Sequence, residues 1–289
     1  MLDGFAGISS FLQQNSAVFI SLSVVFGLLV GSFLNVVIHR LPKIMEREWH
    51  NNCLELQGQV IPAQAPYTIS KPRSACPNCG HKITAFENIP ILSWLTLGGK
   101  CSGCKTPISS RYPLVEALTG TLIGLVAYKF GYSYVTLFSW FFVFALIALT
   151  FIDFDTQLLP DDITLPLLWL GLLFNLNGGL TDIKSAVVGA MAGYLILWSV
   201  YWLFKIVTGK EGMGYGDFKL LAAIGAWFGW KILPAVILLS SVLGAVIGIG
   251  LILLAKRGRE VPMPFGPFLA LGGIAALFYG QQLASYYVH

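Results

Sequence analysis

Charge is what this sequence has least of. Only 11% of its 289 residues are Asp, Glu, Lys or Arg, while 56% are hydrophobic and the mean hydropathy is +0.73. A soluble domain carries roughly 25% charged residues, so a water-soluble globule of this size lacks its solvating surface here. Other absences narrow the reading further. No Lys or Arg precedes Arg40, and no small-residue cleavage site follows the first apolar run. A cleavable signal peptide is therefore not expected, and the run should stay as a membrane span. The four histidines, His39, His50, His81 and His289, are scattered and form no H-E-x-x-H, which argues against a catalytic zinc. No G-x-G-x-x-G opens a strand-to-helix turn in 40–112, so a Rossmann-type cofactor site is not expected there.

What is present is a series of apolar runs, several near 20 residues, long enough to cross a hydrocarbon core of about 30 Å. They are apolar all round, unlike the amphipathic helices of a soluble protein. Hydropathy places spans at 16–38, 113–130, 134–152, 162–177, 184–207, 217–230, 232–255 and 265–285. The fold class expected is an all-α polytopic membrane protein of about eight transmembrane helices with a small cytoplasmic zinc-ribbon-like domain. Fifteen of the 18 Lys and Arg fall near or between the ends of spans one, three, five and seven and the spans that follow them. The other three are Lys129, Lys184 and Lys231. The positive-inside rule then makes the richer face cytoplasmic and puts both termini on the opposite side. Three segments follow: 1–39 with the first span, a polar 40–112 and a membrane-embedded 113–289. The polar segment is too small for much of a core, so it needs a metal, a partner or the membrane surface to hold it.

Four of the five cysteines stand in that segment as Cys76-Pro-Asn-Cys79 and Cys101-Ser-Gly-Cys104. Two C-x-x-C turns at this separation form a zinc-ribbon pattern, with Gly80 and Gly103 as the small residues that let backbone amides approach the sulfurs. Four thiolates make a closed, structural tetrahedral site with no open position for water. Paired disulfides and redox chemistry are the alternatives; the reducing cytoplasm speaks against the first. Cys53 is left over as a free thiol.

Acidic residues number 14, so their placement carries information. Asp153, Asp155, Asp161 and Asp162 share one interhelical turn that has no basic residue of its own, and Asp217 opens the sixth span in Gly212-Met-Gly-Tyr-Gly-Asp217. Asp153 directly follows one long apolar run and Asp217 directly precedes another. Ionisable groups at that depth are costly and are functional candidates by default. Two carboxylates brought together share a proton and can both activate water and protonate a leaving amine. The spacing alone does not prove that they meet. Asp161 and Asp162 follow Pro160 and can equally cap the fourth span, and Asp155 can simply solvate the turn.

Gly214-Tyr-Gly-Asp217 matches the GxGD signature of membrane aspartyl proteases. Together with Asp153 in D-x-D-x-x-x-L-P-D, with Gly31-Ser-Phe-Leu-Asn-Val-Val-Ile-His-Arg-Leu-Pro42 and with the two C-x-x-C pairs, it makes the whole chain resemble the bifunctional type IV prepilin peptidases. The resemblance implies cleavage of the leader from type IV prepilins or type II secretion pseudopilins at the cytoplasmic face of a bacterial inner membrane, with Asp153 and Asp217 as the catalytic pair. It also implies N-methylation of the new amino terminus with S-adenosylmethionine, an activity associated with the cysteine-bearing loop. Zinc on Cys76, Cys79, Cys101 and Cys104 and the lipid bilayer complete the expected partners; a nucleic acid is not among them. Asp155, Asp161, Gly214 and Gly216 are candidate substrate contacts, the acids for the leader's basic residues. The methyl-donor contacts cannot be named from the sequence. Competing readings are a transporter with proton-carrying acids, a non-enzymatic assembly scaffold, and a peptidase that has lost methylation.

Overall fold

A computed structural model describes residues 2–254 and 263–285. Among the described residues ten α-helices follow one another: α1 Leu2–Gln14, α2 Ser16–Leu56, α3 Leu92–Thr96, α4 Arg111–Phe130, α5 Tyr134–Thr156, α6 Asp161–Leu176, α7 Ile183–Thr208, α8 Tyr215–Phe228, α9 Leu233–Leu254 and α10 Gly266–Ser285. No sheet occurs among the described residues, only two isolated bridges, Ala75 with Lys82 and Lys100 with Pro107. Five stretches of the described residues are long and apolar enough to cross a membrane: α2, α4, α5, α7 and 230–251, which is most of α9 with the turn before it. The chain is thus an all-α, multi-pass membrane protein. α6, α8 and the apolar part of α10 are shorter than that criterion.

Seven of the eight expected spans coincide with helices to within a few residues, and the first does not. It was expected to end at 38 but continues as helix through Pro42 to Leu56. At 1.5 Å per residue its 41 residues reach about 60 Å, twice a hydrocarbon core. Hydropathy registers only the apolar half, whereas Lys43-Ile-Met-Glu-Arg-Glu48 propagates helix without being hydrophobic. The expected end of the seventh span at 255 and the basic residues Lys256, Arg257 and Arg259 lie outside the described residues.

The chain divides into two compact units, 1–136 and 137–289. In the first, α2 and α4 lie against each other through two G-x-x-x-G faces. A Cβ on Gly27 would stand 2.9 Å from the Gly120 Cα, and one on Gly31 would stand 2.9 Å from the Glu116 Cα. Val24 and Leu28 of α2 fill the space beside Gly124 and Gly120 in return. Small residues let membrane helices approach until backbones touch.

The second unit is built around α8, whose residues from Asp217 to Trp227 are buried apart from Lys219. Being surrounded by protein, it does not need the length of a lipid-facing span. Gly189 and Gly193 of α7 meet the carbonyls of Gly225 and Leu221, and a side chain at Gly189 or Gly225 would run into the facing backbone. Trp227 lies over Gly171 of α6 and donates its indole N–H to the Leu167 carbonyl at 2.9 Å. Buried Asn175 gives its amide protons to the carbonyls of Ala226 and Trp227 and accepts from the amides of Leu180 and Thr181. One side chain thereby satisfies two of the orphan carbonyls at the end of α8.

Candidate active site and metal centre

In the first unit the four cysteines come together. Their Sγ atoms all lie within 4.8 Å of one another, with Cys76 to Cys104 at 3.7 Å and Cys79 to Cys101 at 3.9 Å. Zn–S bonds of 2.3 Å in a tetrahedron place sulfurs about 3.8 Å apart, so the four can hold a metal ion of that size. Each C-x-x-C forms the same knuckle. Cys76 N–H donates to His81 O and Gly80 N–H to Cys76 O; Cys101 N–H donates to Thr106 O and Lys105 N–H to Cys101 O. The residue after each second cysteine is left-handed, Gly80 at φ 73° and Lys105 at φ 61°. In the second knuckle Lys105 takes the turn conformation, while Gly103 lies close against the first: a Cβ there would stand 3.3 Å from the His81 Cβ and 3.5 Å from the Cys79 sulfur.

The residue that ties the knuckles together carried no sequence signal. Glu87 accepts from His81 Nε2 at 3.1 and 3.2 Å, from the Thr84 amide and hydroxyl at 2.8 Å, and from the Ser102 hydroxyl. These bonds, that of Ser102 foremost, hold its carboxyl at about 2. The Thr106 hydroxyl and amide and the Asn78 side chain pull the Cys104 thiol down to about 5, while, against the pull of the His81 amide, the neighbouring thiols and burial push Cys79 up to about 12. Cys53 is exposed and outside the cluster.

The Gly31–Pro42 motif is used within the same unit. Asn35 donates to the Tyr112 carbonyl at 3.1 Å. Buried Arg40 donates to the carbonyls of Thr68 and Ile69 at 3.0 and 3.3 Å, pinning the turn that leads into the first knuckle. Glu116 of α4, also buried, accepts from the Ile91 amide at 2.7 Å. Glu116 falls inside the expected span 113–130, where an ionisable group is costly, so the signal that marks Asp153 and Asp217 was present for it too.

In the second unit Asp153 and Asp217 are both buried, 4% and 6% exposed. Asp153 stands in the last turn of α5, where helix carbonyls repel a negative charge. Its Oδ2 accepts instead from the Gly266 amide at 2.9 Å, the first residue of α10. Asp217 stands three residues into α8, and its Oδ2 accepts from the Gly214 amide at 3.2 Å, half of a capping box. Its Oδ1 is buried and takes no hydrogen bond among the described residues. The two carboxylates lie within electrostatic reach of each other.

The remaining candidates are placed differently. Asp161 is bonded through both oxygens to Lys219 of α8 at 2.7 Å, so the base missing from its own turn arrives from another helix. Asp155 is exposed at the end of α5. Asp161 and Asp162 occupy the first turn of α6, where acids suit the helix dipole. Gly214 is the N-cap of α8, and Gly216 abuts Leu159.

A multi-pass helical membrane protein with two buried aspartates at helix ends and a cluster of four cysteines that could hold a metal ion defines a narrow class. Residues 25–130 match the Bacterial Peptidase A24 N-terminal domain, and residues 140–249 match the Type IV leader peptidase family. Proteins called "Prepilin leader peptidase/N-methyltransferase" are similar along nearly their whole length. The Aeromonas hydrophila protein is 56% identical over 275 residues, covering 93% of this chain and 94% of its own. Those of Stutzerimonas stutzeri and Pseudomonas aeruginosa are 53% and 52% identical over 279 residues, covering 96% of each chain. No solved structure matches. The chain belongs to the type IV leader peptidase family.

Proposed function

We propose that this protein cleaves the leader peptide from type IV prepilins or the related pseudopilins and N-methylates the amino terminus so exposed. The observation that carries the peptidase reading is the pair of buried carboxylates, Asp153 and Asp217, in a chain of this family. Asp217 Oδ1 is the buried acceptor that no donor among the described residues fills, since Oδ2 is held by Gly214, and we assign it to the reacting water. One carboxyl takes a proton from water as it attacks the scissile carbonyl, and the other gives one to the departing amine. The Gly266 amide holds Asp153 in place for this exchange. Asp155 and Asp161 give the turn between α5 and α6 a negative face for a basic leader, although Asp161 is shared with Lys219. Gly214 shapes the backbone entry to Asp217.

Zinc is the ion that four thiolates in closed tetrahedral array suit best, and Cys76, Cys79, Cys101 and Cys104 would hold it as a structural element. S-adenosylmethionine supplies the methyl group. The charge asymmetry of the sequence supports eight spans, the cysteine segment and the peptidase pair on the cytoplasmic side of the inner membrane, and both termini on the other.

The test is mass spectrometry of a prepilin incubated with purified protein and S-adenosylmethionine. The expected product is the mature pilin carrying one added methyl group on its new N-terminus. Product that is cleaved but unmethylated reduces the activity to a peptidase alone; uncleaved prepilin refutes the reading.

A further inference from the structure

The turn that joins α5 to α6 carries an apolar residue with particular neighbours. A Cβ added to Gly216 would stand 2.7 Å from the Cβ of Leu159 and 3.4 Å from its Cγ and Cδ1. A Cβ added to Gly266 would stand 3.0 and 3.1 Å from the two Leu159 methyls and 2.6 Å from Asp153 Oδ2. Leu159 therefore occupies the space that two side chains would otherwise take. The first of these glycines precedes Asp217 in the chain; the second gives Asp153 its hydrogen bond.

We propose that Leu159 is a positioning residue that sets the separation of the two carboxylates by bracing the start of α8 at Gly216 against the start of α10 at Gly266. The proposal rests on the reading of Asp153 and Asp217 as the peptidase pair. Leucine has no proton to give or take, so its part is steric. Gly214 N–H fixes one oxygen of Asp217, and Gly266 N–H fixes one oxygen of Asp153. With both carboxylates oriented from the amides of these two helix starts, the spacing of the starts becomes the spacing of the acids. Left-handed Gln157 reverses the chain after α5, its N–H donating to the Asp153 carbonyl, and so brings Leu159 back to the site.

The two glycines give different expected outcomes, because the three atoms nearest a methyl on Gly216 all belong to Leu159, whereas the atom nearest a methyl on Gly266 is Oδ2 of Asp153 itself. Cleavage kinetics are measured for Gly216→Ala, Gly266→Ala and Leu159→Gly, for each glycine variant combined with Leu159→Gly, and for Leu159→Met, with thermal midpoints alongside. Gly216→Ala is expected to lower kcat about tenfold or more with KM held within about twofold. Adding Leu159→Gly, which removes the Cβ that the new methyl meets, restores most of that loss. Gly266→Ala lowers kcat similarly, and Leu159→Gly does not restore it. Leu159→Met, which keeps the volume, stays within about twofold of wild type and serves as the readout where an alanine variant folds poorly. Wild-type kcat in Gly216→Ala, or equal recovery of both glycine variants, or recovery of neither, overturns the proposal. Undiminished cleavage by Asp217→Asn refutes instead the pair on which it rests, so the two failures are distinguishable.

Discussion

Asp153 and Asp217 are the same residue type set at opposite ends of their helices. Asp217 sits at a helix start that favours its charge, while Asp153 sits at a helix end that does not and takes its hydrogen bond from a third helix. Both were visible in the sequence because acids are scarce and these two adjoin apolar runs without a polar spacer. Glu87 was not visible: an ordinary loop glutamate becomes a hub only when folding delivers His81, Thr84 and Ser102 to it. Glu87→Gln should weaken metal retention about tenfold, at the lower end of what supporting shells contribute to metal sites. Competition with a chromogenic chelator measures it, and unchanged retention would remove Glu87 from that role. The carboxyl lies at about 2 in the folded chain against its usual 4.5. Its stabilisation of the knuckles is therefore fully present above about 4.5 and lost as pH falls toward 2.

Helices were legible in the sequence where apolarity marked them and carried no signal where it did not. The polar half of α2 and the short α1 are helical without a hydropathy signal. The G-x-x-x-G faces were present in the sequence too, but 31 glycines in a membrane chain do not say which pairs meet. Contact geometry separates them. Gly225→Val forces a branched side chain into the backbone of α7 and should cost about 3 kcal/mol or more, the upper end of overpacking penalties. Gly250→Ala in α9 has nothing within 4 Å and should be neutral or stabilise by up to about 1 kcal/mol. Thermal unfolding in detergent distinguishes the two, and equal midpoints would contradict the packing of α7 on α8.

At the scale of the whole chain, two units divide at 136 and 137, and the two family matches, 25–130 and 140–249, fall on either side. The cysteine centre belongs wholly to the first unit and the aspartate centre wholly to the second. Local spacing made the cysteines legible as a cluster, because a C-x-x-C turn aims both sulfurs at one point. The aspartates are 64 positions apart in the numbering, and no periodicity announces that α5, α8 and α10 converge. The family resemblance supplied that pairing, and the Gly266 hydrogen bond and the Leu159 contacts supply its physical form.

The measurement that bears most directly on this account is kcat/KM for prepilin cleavage by Asp153→Asn, Asp217→Asn and the double variant, each with its thermal midpoint. One catalytic unit predicts that either substitution alone lowers the rate by about 10²–10⁴ and that the double variant is no worse than the poorer single. A folded single variant that keeps wild-type cleavage, or losses that multiply in the double, would contradict a shared centre at Asp153 and Asp217.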